Sequence, residues 1–338
     1  VSDQSRGVKG FRDDVLACSI DSELEIKMKA ILVLGKAQEN LAKKIKSDSS
    51  EPCVVFSVYA TDIEGAIIIG RFNFIFNYLS ILRGLRKCFT AHFLELYTPH
   101  FVNFVANILY FRCKNVRVFY LYDGILNFRS VSWGQYNLKR AIFLNKLKSI
   151  LYFHRFKKVG KVINDKSIAN FKNVIVPSSM REQGFSFDKY TLFVDDDLAV
   201  DDYLNYGVAM ILEPANYANG DLEVLTKKLK NFCLERSVSR VILKTHPRCK
   251  KSLLSNFFRN SFEVESFVGD VDCAENIFVK YRPAYVLGDY SSAMLNIKSL
   301  HSSAEIFSYG LIKSEVPTNL EAVIELMKRQ GVTFFERT

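Results

Sequence analysis

The sequence predicts an α/β protein of two doubly wound, Rossmann-like domains facing a cleft. Three observations carry that expectation. Short apolar runs recur along the chain and stop abruptly at polar clusters, as buried parallel strands do. Longer segments with apolar residues at helical spacing lie between them. In the middle, over 187–205, the composition turns polar and acidic and divides the alternation in two.

Taken in order, residues 14–20 (DVLACSI) read as a first strand. Residues 22–46 read as a helix, because their Leu, Ile and Met positions fall at helical spacing among Lys and Glu. Residues 47–52 are turn material and 53–59 (CVVFSVY) a second strand. The stretch 67–85 is apolar at helical spacing, with Arg71, Arg83, Arg86 and Lys87 around it. A third strand, 93–97, ends in Thr98-Pro99-His100 and leads into a helix over 101–111. The strand 116–122 (VRVFYLY) ends in Asp123-Gly124. A helix is expected over about 136–158 and a short strand over 174–176. The second domain opens with strand 208–212 (VAMIL), then helix 221–236, strand 241–243, helix 251–260 and strand 262–268. A helix from Ala274, strand 284–287, a helix after Ser291-Ser292 and strand 304–308 follow. Residues 319–330 form an amphipathic terminal helix. The expected units are 1–190, 191–315 and a terminal helix in 316–338 that packs back on the domains.

Composition bounds the function. At 338 residues the chain can form two domains of ordinary size, and 49% apolar with 24% charged residues is normal for a globular protein. A net charge of +10 and a pI near 9.1 select anionic partners such as phospholipid, nucleic acid or phosphorylated and acidic sugars. Seven scattered cysteines with no CxxC pair support neither a disulfide frame nor a zinc site, so reduced thiols and an intracellular location are expected. The first residues are too polar for a signal peptide, and the missing initiator Met suggests that the natural start lies elsewhere. No stretch of about 18 apolar residues is present to span a membrane.

Three polar clusters fall at strand ends, where open α/β sheets bind their ligands. Asp123-Gly124 either aims a carboxylate outward from the sheet edge or forms a plain β-turn. Lys244-Thr245-His246-Pro247 follows one strand of the second domain. Ser291-Ser292 either merely caps the helix that follows or uses that helix's amino end to bind phosphate. The aspartates 195–197 and 201–202 read as a domain junction rather than a metal site. From Gly124 to Asn164 there is no acidic residue, while Lys146, Lys148, Arg155 and Lys157 stand among Phe143, Leu147, Ile150 and Leu151. This basic segment, 136–161, either lies on an anionic membrane or faces its apolar residues to the core and attracts acidic glycans.

Together these clusters resemble the glycosyltransferase-B (GT-B) architecture, and within it the bacterial sialyltransferases of the lipooligosaccharide and capsular polysialyltransferase group. The family signatures are an acidic-acidic-Gly motif, Lys-x-His-Pro, and Ser-Ser some 40–50 positions on. Here they stand as Tyr122-Asp123-Gly124, Lys244-Thr245-His246-Pro247 and Ser291-Ser292, with Tyr in place of the first acid. The strand VRVFYLYDG and the stretch GVAMILEP also look like the family, and the resemblance covers about 93–310.

The resemblance implies transfer of sialic acid from CMP-sialic acid to a glycan hydroxyl of a lipooligosaccharide or capsular acceptor, with inversion and without a metal or other cofactor. Asp123 would be the general base, and His246 would assist departure of CMP. Lys244, Ser291 and Ser292 would hold the phosphate, and Glu275 the ribose hydroxyls. The implied partners are a CMP-sugar donor and a lipid-linked glycan acceptor, with no nucleic acid, at the cytoplasmic face of the inner membrane. Two alternatives stay open. Asp289-Tyr290-Ser291-Ser292 is similar to a motif of CDP-glycerol glycerophosphotransferases that build surface polymers. A non-catalytic basic membrane-binding protein would explain the charge but not the placement of the clusters.

Overall fold

The computed structural model describes residues 26–35, 37–70, 72–123, 133, 136–178, 190–194, 203–215, 217, 221–247, 249–269, 272–312 and 320–336. They form two parallel sheets with helices, each sheet the centre of one unit. The first contains β1 (Lys27–Val33), β2 (Cys53–Ser57), β3 (Ile67–Ile68), β4 (Phe93–Thr98), β5 (Val116–Leu121), β6 (Phe171–Pro177) and β7 (Thr191–Val194), in the order β3-β2-β1-β4-β5-β6-β7. The second contains β8 (Asn205–Leu212), β9 (Arg240–Lys244), β10 (Glu263–Phe267), β11 (Pro283–Gly288), β12 (Glu305–Ser308) and β13 (Thr333–Phe334), in the order β10-β9-β8-β11-β12-β13.

Both sheets therefore run outward in two directions from their first strand. The reversals lie between β1 and β4 and between β8 and β11, where doubly wound sheets open a crevice at the carboxyl ends. The helices are α1 (Ala37–Ser47), α2 (Asn73–Phe76), α3 (Tyr78–Thr90), α4 (Phe104–Arg112) and α5 (Tyr136–Leu151) in the first unit. The second has α6 (Asp221–Glu235), α7 (Ser255–Phe258), α8 (Ala274–Tyr281), α9 (Ser292–Leu300) and α10 (Glu321–Arg329).

The structure corrects several expectations. The helix expected over 22–46 is in its described part a strand followed by a helix. Ala30, Ile31 and Leu32 are wholly buried at the centre of the sheet, where both faces are covered, so no in-out alternation marked them as a strand. Residues 67–85 divide into β3, α2 and α3 in place of one helix, because Gly70 packs against the Val58 backbone, leaving no room for a side chain. The expected helix 251–260 shrinks to the single turn of α7. The strands β3, β7 and β13 were not anticipated: each is an edge strand of two to four residues, too short to show a pattern.

β7 falls inside the polar stretch read as a junction, so the first sheet runs to Val194, four residues past the expected boundary at 190. After α10 the chain adds β13 to the edge of the second sheet, paired with β12. The expected strand 14–20 and the aspartates 195–197 and 201–202 lie outside the described residues. Among the described residues six cysteines are free, no group of three or more His, Cys, Asp or Glu could hold a metal ion, and no helix is long and apolar enough to cross a membrane.

Candidate active site

β5 is buried along most of its length and delivers Tyr122 and Asp123 to the carboxyl edge of the first sheet. Burial lifts the Asp123 carboxyl to about 7, with a hydrogen bond from Gln38 opposing the rise. That bond, Gln38 Nε2 to Asp123 Oδ1 at 2.9 Å, links α1 to the end of β5 across the intervening β4. The other end of the same amide is fixed as well. Gln38 Oε1 accepts from the backbone N–H of Leu34 (2.9 Å) and Gly35 (3.1 Å), which dictates that Nε2 faces Asp123. Sequence reasoning missed Gln38 because β1 was read as helix; only its place just after a strand end could have pointed to it. Gly124 lies outside the described residues.

His100, in the Thr98-Pro99-His100 cluster, follows β4, the strand that neighbours β5. Its Nδ1 accepts from the Val102 N–H at 3.3 Å, and burial lowers its pKa to about 4, so it is neutral near pH 7 with the ring proton on Nε2. The first edge thus pairs a carboxylate that titrates near neutrality with uncharged polar groups.

The second edge is built differently. Lys244 ends β9, and its ammonium is turned inward onto the carbonyls of Thr245 (2.9 Å) and Gly269 (2.5 Å). Thr245 Oγ1 accepts from the Gly269 N–H, and Cys249 N–H donates to the His246 carbonyl at 2.8 Å, closing a turn through Pro247. His246 opens that turn and is half-buried. At the end of β11, Gly288 is pressed against α9 so closely that a Cβ would meet Met294 Sδ at 2.6 Å. Ser291 caps α9: it is extended, and its Oγ accepts from the Ala293 N–H at 3.3 Å. Capping occupies one oxygen lone pair and leaves the hydroxyl proton able to donate. Ser292 is the first residue of α9, so its N–H is among those the helix leaves open.

Glu275 sits buried in the first turn of α8, where its Oε1 accepts from Asn296 Nδ2 of α9 at 2.5 Å. Its charge reaches across to the first unit. Burial, and then the negative charges of Glu275 and Asp123, raise the Tyr122 phenol well above its ordinary value. A second buried carboxylate, Glu213 after β8, accepts from Ser252 Oγ (2.5 Å) and from the N–H of Leu253 (3.0 Å), holding the segment that follows the His246 turn.

Residues 80–309 match the family model described as alpha-2,8-polysialyltransferase. The chain belongs to the alpha-2,8-polysialyltransferase family. Sialyl transfer is therefore the general chemistry of this polysialyltransferase-family chain, and a glycosyltransferase is its enzyme class. No curated protein is significantly similar to it.

Among solved structures, the family member is similar to an alpha/beta-galactoside alpha-2,3-sialyltransferase from Photobacterium phosphoreum, at 11% identity and a TM-score of 0.51, over 91% of this chain and 98% of that one. The GT-B domain of a sialyltransferase from Photobacterium damselae matches with a TM-score of 0.53 and 11% identity, over 91% and 99% of the two chains. A putative UDP-N-acetylglucosamine 2-epimerase from Listeria monocytogenes matches equally well, with a TM-score of 0.53 at 8% identity, over 93% and 85%. At such identities the likeness shows the fold alone, that of GT-B, and the epimerase shows that this fold does not fix a chemistry.

Proposed function

We propose that this enzyme transfers sialic acid from CMP-sialic acid to a hydroxyl of a lipooligosaccharide or capsular glycan, with inversion at the anomeric carbon. The observation that carries the proposal is Asp123: a carboxylate at a sheet edge, lifted by burial to about 7 and aimed by a fixed amide. A general base works best with a pKa near the operating pH, and this one lies there. In the proposed step the acceptor oxygen attacks the anomeric carbon as its proton passes to Asp123. The bond from that carbon to the CMP phosphate oxygen breaks, and its electron pair stays on the phosphate.

His246 donates a proton or a charge-assisted hydrogen bond to that oxygen. Ser291, Ser292 and the amino end of α9 receive the phosphate, while Lys244, buried behind the turn, adds positive field without touching it. Glu275 accepts from the ribose hydroxyls with the carboxylate oxygen that Asn296 leaves. Because these groups meet the developing negative charge, the proposed step needs no metal ion. A lipid-linked acceptor at the cytoplasmic face of the membrane completes the reading.

Donor hydrolysis and transfer with CMP-sialic acid against CDP-glycerol test it. Turnover of CMP-sialic acid alone is expected. Turnover of CDP-glycerol alone would assign the Asp289-Tyr290-Ser291-Ser292 motif to glycerophosphate transfer, and stabilisation by neither donor nor CMP would remove the enzymatic reading.

A further inference from the structure

The first unit carries an exposed apolar surface that neither sheet edge uses. Around α2 and the start of α3, Phe72, Ile75, Phe76 and Leu79 stand in solvent, Phe76 at 82% exposure. On α5 and the turn after it, Phe143, Leu147, Ile150 and Phe153 are exposed too, Phe153 at 85%. Isolated apolar residues on a surface need no explanation, but a contiguous group does. These two segments are joined: Tyr78 Oη donates to the Leu151 carbonyl (3.2 Å), Tyr152 Oη donates to the Phe74 carbonyl (2.7 Å), and Lys148 Nζ lies 4.6 Å from the Phe74 ring centre. The residues of 136–151 expected either to reach a membrane or to face the core thus face outward and are half of a larger patch, whose other half is 72–79.

The charge around the patch has one sign. Residues 65–164 contain sixteen Lys and Arg and two acids, Glu95 and Asp123. Glu95 lies on β4 and Asp123 at the sheet edge, so neither belongs to α2, α3 or α5. Arg83, Arg86 and Lys87 are exposed on α3, and Lys139, Arg140 and Lys146 on α5.

We propose that this composite surface docks on an anionic lipid bilayer, its aromatic and aliphatic side chains entering the headgroup layer while the cations of α3 and α5 meet lipid phosphates. Complementarity selects this occupant. An apolar surface whose charged neighbours on α2, α3 and α5 are, among the described residues, all cations matches a boundary that is apolar below and anionic above. A second copy of the chain across a two-fold axis would set the same cations against one another. The patch also begins directly after β3, at the carboxyl edge of the sheet that carries Asp123, so docking brings that edge to the membrane. The inference stands on the surface itself and does not depend on which group the enzyme transfers.

Sedimentation of the full chain with phosphatidylcholine vesicles, with and without phosphatidylserine and at low and high salt, tests it. Binding to the phosphatidylserine vesicles, weakened by salt, is expected. Replacing Phe72, Phe76 and Phe153 together with Ser should lower partitioning by about tenfold or more, and so should Lys87→Gln, Arg140→Gln and Lys146→Gln combined. The two sets are independent, so loss of fold in one, read by thermal melting, leaves the other decisive. Equal binding to neutral vesicles overturns the inference. So does unchanged partitioning of the well-folded Ser variant, or a wild type that ignores both vesicles and forms a dimer the Ser variant dissociates.

Discussion

The two carboxyl edges share a strand order and differ in electrostatics. On the first, a carboxylate is kept poorly solvated and accepts from the Gln38 amide, and burial makes it hold its proton up to about pH 7. On the second, the carboxylates already accept hydrogen bonds from protein: Glu213 from Ser252 and Leu253, Glu275 from Asn296. That edge also holds half-buried His246, Ser291 and Ser292 and the start of α9. In the proposed mechanism the same topology serves a proton acceptor on one side and an anion receptor on the other, and the charge of Glu275 in the second unit is felt by Tyr122 in the first. The difference teaches that the fold supplies the positions and the residues at the strand ends supply the chemistry.

If the first edge acts on protons and the second on the donor, substitutions should separate rate from binding. The largest effect is expected from Asp123→Asn: turnover should fall by about 10²–10⁴-fold while CMP affinity, measured by calorimetry, is kept. Loss of CMP affinity with turnover intact would reverse the assignment of the two edges. Replacing Ser291 and Ser292 with Ala should show the opposite signature. Donor KM should rise by about 10–100-fold, since a hydrogen bond to a charged group contributes about 1.5–3 kcal/mol, and kcat should change little. An unchanged KM would reduce the pair to a helix cap.

Smaller effects test the support of the first edge. Gln38→Ala strips the Leu34 and Gly35 N–H groups of their acceptor and should cost about 1–3 kcal/mol in denaturant unfolding, whereas Gln38→Glu, which keeps an acceptor there, should cost less. A raised carboxyl also has a thermal signature. Between the ordinary aspartate range and pH 7 the unfolded chain releases the Asp123 proton while the folded chain keeps it, so native stability falls as pH rises through that window. Asp123→Asn removes this penalty. Its Tm should exceed that of wild type above pH 7, and the difference should vanish toward pH 4. The smallest expected effect is that of a chelator, which should leave the transfer rate unchanged.

Much of this organisation is legible in the sequence, for reasons that also explain the gaps. β5, β9 and β11 announce themselves because each is a short apolar run halted by a polar cluster, and all three lie within the residues that match the family model. β1 does not: the run Ala30–Val33 is buried on both faces, carries no alternation and joins α1 through Leu34-Gly35 without a polar cluster. Misreading it hid Gln38, whose role depends on a contact 85 positions away in sequence. The outward face of α5 was equally out of reach, because mixed cations and apolar residues read the same whether core or bilayer lies opposite. Only the neighbouring 72–79 segment shows that the surface continues.

The pH dependence of kcat/KM for the acceptor, measured with CMP-sialic acid for wild type and Gln38→Glu side by side, tests the role of Asp123 most directly. That ratio reports the pKa of the essential base in the free enzyme. Wild type should lose activity below an apparent pKa near 7, the value burial gives Asp123. In Gln38→Glu a second carboxyl replaces the donating amide, so the acidic limb should move to higher pH. A wild-type limb in the ordinary carboxylate range near 4, or a limb that stays in place when Gln38 becomes Glu, would contradict Asp123 as the base.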